Sequence, residues 1–234
     1  FVEYNIQDVE LVDKLEDKMK LIELCLTMAY EAKVNYTDVY SQVRCWDTII
    51  YNHLLKKNII IPPREDHDKD TQYEGAYVKD PQLGLHNWIV SFDLNSLYPH
   101  LIMQYNLSPE TLVGVQPKNM GVENYLNEKF NLQWARDKNV TVAPNGSMYR
   151  RDKQGFLPEL MEKMYGDRVV FKKKTIEAKK EFQKTKDPIY KNEISRCNNI
   201  QMAKKIALNS AYGAIGNQYF RYFDVRHAEG ITMA

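Results

Sequence analysis

The sequence predicts an α+β chain: a middle section carrying a mixed or antiparallel sheet, preceded by helices and followed by a long helical hairpin. Three observations predict it. Trp88–Phe92 is an apolar, β-branched and aromatic run, which is how a strand covered on both faces reads. Val140-Thr-Val-Ala-Pro-Asn-Gly-Ser-Met-Tyr149 reads as strand, turn, strand, with Asn145-Gly146 as the hairpin signal. Two long helical stretches, Gly155 to about Lys186 and Ile189 to Tyr212, are parted only by the breaker Asp187-Pro188, so they can fold back antiparallel.

Composition supports a folded chain. Of 234 residues, 44% are hydrophobic and 27% charged, which excludes a disordered tail. The net charge of +1 argues neither for nor against a nucleic-acid partner. Cys25, Cys45 and Cys197 are far apart and form no C-x-x-C pair, so they read as reduced core residues of a cytoplasmic protein. The five histidines lack metal-site spacing. No apolar run has the length of a membrane span and no signal peptide is visible. The chain opens Phe1-Val-Glu and ends Ile-Thr-Met-Ala, from which we expect an internal piece of a longer protein.

Taken in order, Phe1–Ala32 reads as helical, with Val9, Val12, Leu15, Met19, Ile22 and Leu26 at three- and four-residue steps. Tyr4 and Asp8 share one face there. Val39–Leu55 is a second amphipathic helix whose Trp46, Ile49, Ile50, His53 and Leu54 read as packing residues. Asn58–Pro63 reads as a short strand closed by prolines, and Arg64–Gln72 as a linker. Tyr73-Glu-Gly-Ala-Tyr-Val-Lys79 reads as a strand in which Gly75 permits close backbone approach. A helix is expected from Leu97, with Pro99 in its first turn, ending before Ser108-Pro109, and Thr111–Gln116 is expected as a strand. Gly213 is the expected stop of the second hairpin helix, and Val225–Ala234 begins a return toward the sheet.

Chemistry concentrates in Trp88-Ile-Val-Ser-Phe-Asp-Leu-Asn-Ser-Leu-Tyr-Pro-His100. The strand delivers a single acid, Asp93, to the edge where a helix begins. An acid can hold a divalent cation, and N–H groups at a helix start can hold phosphate, a combination suited to a metal-bound triphosphate. Read without context, Asp93 is equally an acid that caps the helix. In the hairpin, Arg168 and Lys172 share a face, and Lys205, Asn209 and Tyr212 are spaced i, i+4, i+7 in one polar stripe. Most other lysines of this basic region read as a solvated face balanced by Glu177 and Glu181.

Two of these stretches resemble one family. Asp93-Leu-Asn-Ser-Leu-Tyr-Pro99 resembles the first palm motif of family B DNA polymerases, Asp-x-x-Ser-Leu-Tyr-Pro-Ser. Lys205-Ile-Ala-Leu-Asn-Ser-Ala-Tyr-Gly213 matches their fingers motif, Lys-x-x-x-Asn-Ser-x-Tyr-Gly, at every defining position. Asn106–Thr111 and Ala214–Phe223 resemble the T-even-type bacteriophage replicative enzymes. Tyr4-Asn-Ile-Gln-Asp8 resembles the third motif of the linked 3′–5′ proofreading exonuclease, and Tyr73–Ala76 the Tyr-x-Gly-Gly/Ala segment that touches template DNA. The resemblance covers essentially the whole chain.

It implies a partial palm and a helical-hairpin fingers subdomain behind the end of an exonuclease domain. The implied divisions are 1–21 for the exonuclease end, 22–66 for a helical connection, 67–154 for the first part of the palm, 155–217 for the fingers and 218–234 for the return to the palm. It implies dNTP addition to a primer 3′-hydroxyl by two-metal phosphoryl transfer with Mg2+. Asp93 and the Leu94 carbonyl are the implied metal ligands. Ser96 and Leu97 N–H groups hold the β- and γ-phosphates, and Tyr98 lies under the sugar and leaves no room for a 2′-hydroxyl. Arg168, Lys172 and Lys205 clamp the triphosphate, Lys205 with a catalytic role beside Asp93, and Asn209 binds the triphosphate or braces that clamp. Tyr212 and Gly213 line the nascent base pair, Tyr73 and Gly75 touch the template, and Tyr4 and Asp8 serve the exonuclease, Asp8 as a metal ligand. The implied partners are primer-template DNA, dNTPs, a sliding clamp and phage replisome proteins, in the host cytoplasm and without a membrane.

There are departures. The family's second palm carboxylate lies in an Asp-Thr-Asp motif after the fingers, which this sequence does not contain, so residues 1–234 alone are expected to be inactive. His100 stands where Ser is usual, and the stretch between Lys172 and Lys205 is short for a T-even-type enzyme. Two other readings are kept: a non-catalytic nucleic-acid-binding module derived from such a polymerase, and a nuclease resting on Asp8.

Overall fold

Helices form where apolar residues recur at three- and four-residue steps, and strands where a turn brings two extended runs together. The computed structural model describes residues 1–65, 75–116 and 133–234. In order come α1 (Val2–Met19), α2 (Leu21–Ala32), a 3₁₀ turn (Tyr36–Tyr40), α3 (Gln42–Leu55), α4 (Leu97–Tyr105), a 3₁₀ turn (Pro109–Thr111) and β1 (Leu112–Val115). Then follow α5 (Gln133–Asp137), β2 (Val140–Val142), β3 (Ser147–Arg150), α6 (Phe156–Thr185), α7 (Pro188–Ile215) and α8 (Val225–Thr232). The chain forms two compact units, one of Phe1–Ile49 with Met164–Ala207, the other of Ile50–Lys163 with Leu208–Ala234.

In the first unit, α1 buries none of its residues. Lys20 takes the left-handed conformation (φ 54°) and divides α1 from α2. The Glu16 carboxylate accepts from the Leu21 and Ile22 N–H groups at 3.0 and 3.2 Å, satisfying donors that a new helix leaves open. α2 buries Ala29 and Ala32 and packs on the 3₁₀ turn, where Val39 is buried. Trp46 is buried and donates from Nε1 to the Ala207 carbonyl at 3.1 Å. Only Lys186 and Asp187 separate α6 from α7, and Asp187 caps α7 by accepting from the Ile189 N–H at 2.9 Å. Asp167 of α6 meets Lys204 of α7 at 3.3 Å, so the two helices double back on each other as expected.

The second unit holds an antiparallel sheet in the order β1-β3-β2. Val140 pairs with Arg150 and Val142 with Met148; β1 pairs with β3 through a bulge between Leu112 and Gly114. The β2–β3 turn places Pro144 second and Gly146 last, with the Gly146 N–H on the Ala143 carbonyl at 2.8 Å, and Gly146 has φ 85°, where a side chain is strained. Asn145 ties this turn to α8, donating to the Arg226 carbonyl at 2.8 Å. α8 packs against α4 and β3. Ile102, Leu107, Tyr149, Leu157, Met161, Leu208 and Ile231 are buried in this unit.

Several expectations need correction. Trp88–Phe92 is not a buried strand: it is irregular, Trp88 is 99% exposed with φ 60°, and Ile89, Val90 and Phe92 are exposed. Asn58–Pro63 and residues 75–79 are likewise irregular. A strand is held by ladder hydrogen bonds, and among the described residues no strand lies beside these segments. Phe1–Ala32 is two helices. α7 runs through Gly213 to Ile215, because Ala211, Ala214 and Ile215 are buried and their packing outweighs the cost of a glycine in a helix. The 66/67 division lies outside the described residues, as does residue 73.

Candidate functional site

α4 begins as expected. Ser96 precedes it in the left-handed conformation (φ 53°), and its side chain makes no capping bond. The N–H groups of the first turn are therefore not capped by that hydroxyl. Pro99, Leu101, Ile102 and Tyr105 are buried and fix the helix, while Leu97 is exposed and Tyr98 half-buried. His100, the departure from the usual Ser, donates from Nδ1 to the Ser96 carbonyl at 2.8 Å. Asp93 and Leu94, one turn of chain earlier, are exposed.

The end of α7 lies in the same unit. Leu208, Ala211, Ala214 and Ile215 are its buried residues; Asn209 and Gly213 are exposed. The rings of Tyr98 and Tyr212 meet at 4.8 Å between centroids, tilted by 55°. The structure thus joins the start of α4 to the end of α7 through the two tyrosines that the sequence singles out. Gly75 is exposed, and nothing among the described residues stands within 4 Å of where a side chain would be.

Between β1 and the root of α6 lies a polar knot that the sequence reading missed. Asn106, left-handed at the end of α4, donates to the Arg150 and Lys153 carbonyls at 2.7 and 2.8 Å and accepts from the Gly155 N–H at 2.8 Å. Glu110 accepts from the Phe156 N–H at 2.6 Å, and Ser108 donates to Glu110 at 2.6 Å. Thr111 closes the knot by donating to the Asn106 and Ser108 carbonyls. A carboxylate at the first turn of a long helix satisfies open N–H donors and complements the helix dipole. Gly155 is tightly enclosed: a Cβ there would stand 2.5 Å from the Ser108 Cβ. An asparagine after a helix, followed by Ser-Pro-Glu, was the available signal.

The expected phosphate cations belong to the other unit. Arg168 and Lys172 lie one turn apart on α6; the Arg168 Nε is buried without a hydrogen-bond partner among the described residues, and Lys172 and Lys205 are exposed. Lys204, next to Lys205, is buried between carboxylates, with Glu31 at 2.7 Å and Asp167 at 3.3 Å. It was overlooked because its neighbour carries the motif. Yet Lys204, Leu208, Ala211 and Ile215 fall on one buried helix face, a periodicity legible in advance. Tyr4 and Asp8 are exposed on α1.

Elsewhere in the second unit, Asp224 caps α8 by accepting from the Arg226 N–H. Burial opposes its ionisation, but the His227 ring and the Arg226 guanidinium beside it hold the carboxyl well below the usual range. Burial pushes the Tyr149 phenol far up. Burial lowers the His53 pKa, the nearby Glu159 carboxylate opposing it. A cleft of about 410 Å3 is lined by Pro62, Pro109, Val113, Arg221, Arg226 and His227 among others, and none of the candidate site residues line it.

No group of three His, Cys, Asp or Glu side chains among the described residues is arranged to hold a metal ion. One carboxylate and one carbonyl, from Asp93 and Leu94, can fill part of a single Mg2+ shell but do not fit a site for two ions. No described helix is long and apolar enough to cross a membrane.

Comparison with known proteins shows the family. A family model described as DNA polymerase family B matches residues 33–234. The DNA-directed DNA polymerase of Escherichia phage RB69 is 31% identical, the match covering 99% of this chain and 30% of that protein. That of Enterobacteria phage T4 is 32% identical over 100% of this chain and 30% of its own length. The structure of the family B DNA polymerase from the hyperthermophilic archaeon Pyrobaculum calidifontis shares the fold, with a TM-score of 0.65 at 24% identity over 94% of this chain and 26% of that one. The chain thus spans about 30% of the length of the phage relatives it matches.

Proposed function

The chain belongs to DNA polymerase family B, and from that premise we propose that it is the palm-and-fingers part of a replicative DNA-directed DNA polymerase, which extends a primer with dNTPs and proofreads with a linked 3′–5′ exonuclease. The observation that carries the reading is the contact of Tyr98 with Tyr212, which links the two sequence motifs within one unit.

Each role follows from the chemistry of phosphoryl transfer, in which a protein positions reactants and neutralises charge. The Ser96 and Leu97 N–H groups, at a helix start, take the β- and γ-phosphates. Tyr98 excludes a 2′-hydroxyl and so selects dNTP over rNTP. Arg168, Lys172 and Lys205 are the triphosphate cations, Arg168 suited to bidentate contact, with Asn209 binding the triphosphate or bracing them. Tyr212 and Gly213 contact the nascent base pair, and Tyr73 and Gly75 the template. Tyr4 and Asp8 serve the exonuclease. Primer-template DNA is the substrate, and a sliding clamp and replisome proteins are the proposed partners in the cytoplasm of a bacterial host.

Asp93 with the Leu94 carbonyl is one part of a Mg2+ site whose second carboxylate is not among the described residues. We therefore expect residues 1–234 alone not to extend a primer. The same observation favours a second reading, a module that binds nucleic acid without joining it. Primer extension by the full-length protein separates them. The polymerase reading expects extension that falls by roughly a thousandfold in Asp93→Ala, the loss of several kcal/mol of charge stabilisation. A full-length protein that binds primer-template and extends nothing overturns it in favour of the binding module.

A further inference from the structure

We propose that Lys204 is a positioning residue: its buried ion pairs with Glu31 and Asp167 hold α2, α6 and α7 in the register that aims Arg168 and Lys205 at the triphosphate. The inference rests on the reading of Arg168 and Lys205 as phosphate cations. All five residues lie in one unit.

The Lys204 side chain is only 10% exposed, and its ammonium sits 2.7 Å from Glu31 Oε2 and 3.3 Å from Asp167 Oδ2. A lysine in such a place is a poor source of stability, because its desolvation offsets most of the attraction and a well-packed apolar side chain does as well. What an ion pair fixes better than an apolar contact is axial register. The two attachment points lie beside the cations in sequence: Asp167 precedes Arg168 on α6, and Lys204 precedes Lys205 on α7. A fixed residue on a helix fixes the direction of the next, about 100° further round. Holding Asp167 against Lys204 therefore sets where both cations point.

Glu31 brings in the third helix. Glu23, earlier on α2, accepts from Ser195 Oγ at 3.2 Å and from Asn199 Nδ2 at 3.1 Å on α7. With Glu31 on Lys204 further along both helices, α2 runs parallel to α7 and grips it at two points. The cations themselves are not consumed by this network. Lys205 is exposed, and the buried Arg168 Nε has no hydrogen-bond partner among the described residues. Both carboxylates that hold Lys204 are partly exposed, so an uncharged residue at 204 leaves neither sealed in the core.

The test uses the full-length polymerase and steady-state incorporation of a single dNTP. Lys204→Met is expected to keep the melting temperature while raising the dNTP KM about tenfold with little change in kcat, the signature of misplaced binding groups. Lys204→Arg should restore most of the affinity. Lys204→Met combined with Lys205→Ala should cost less than the product of the two single effects, since a misdirected cation has less to lose. Asp167→Asn removes one partly exposed carboxylate and should move KM in the same direction, even where Lys204→Met fails to fold. If Lys205→Ala raises the dNTP KM but Lys204→Met and Asp167→Asn leave it unchanged, or if the effects multiply in full, the positioning role is overturned. If Lys205→Ala itself leaves KM unchanged, the phosphate-clamp reading beneath it falls instead.

Discussion

Asn106–Thr111 and Trp88–Leu94 lie on either side of α4, and the chain treats them in opposite ways. The first is polar and becomes fully engaged, its side chains taking the free N–H groups at the root of α6 and closing around Gly155. The second is apolar and remains exposed, with Trp88 in the left-handed region. Polarity does not decide which region is engaged; partners among the described residues do. Hydrogen-bonding groups 40 to 50 residues away hold the knot, as the Asn106–Lys153 and Glu110–Phe156 bonds show. Asp93 lies at the end of this exposed region, so the acid proposed to hold a metal ion is itself exposed.

The contrast can be broken most directly at Gly155. A methyl group there meets Ser108 at 2.5 Å, so Gly155→Ala should destabilise the 234-residue chain by about 1–3 kcal/mol. Urea unfolding should show a lower midpoint with an unchanged slope; an unaltered midpoint means the knot is loose. A smaller effect is expected from acid. The Asp224 carboxyl is held below its ordinary range in the folded chain, so the unfolded chain takes up its proton first as pH falls. Its contribution is complete above the unfolded value of about 4 and is lost progressively below it. Asp224→Asn, which can still cap α8, should flatten the acid side of the stability profile, and equal acid sensitivity of both proteins would remove Asp224 from the account. The smallest effect belongs to the exposed region. Trp88→Ser should change stability by less than about 0.5 kcal/mol, and a larger loss would mean that this tryptophan is packed.

Where local chemistry sufficed, the sequence was legible. Asp187-Pro188 ended one hairpin helix and began the next, Asn145-Gly146 turned β2 into β3, and Leu97 opened α4. The Trp88–Phe92 run announced an affinity for burial but not the partner that burial requires. Gly213 reads as a stop, but the burial of Ala211, Ala214 and Ile215 around it carries the helix past it. The Asn106–Thr111 knot escaped because its meaning depends on main-chain groups of residues 150–157, which no local pattern announces. Lys204 was hidden by the motif lysine beside it. The two motifs are legible in the sequence as a family resemblance, and the contact between Tyr98 and Tyr212 is the part that only the fold could supply.

That contact also points to the most direct test. Single-nucleotide incorporation by the full-length protein, with dNTP and with the matching rNTP, should show strong preference for dNTP, and Tyr98→Ala should reduce the preference by roughly a hundredfold. A protein that keeps its full preference after Tyr98→Ala contradicts the assignment of the start of α4 as the sugar-binding side of a polymerase site.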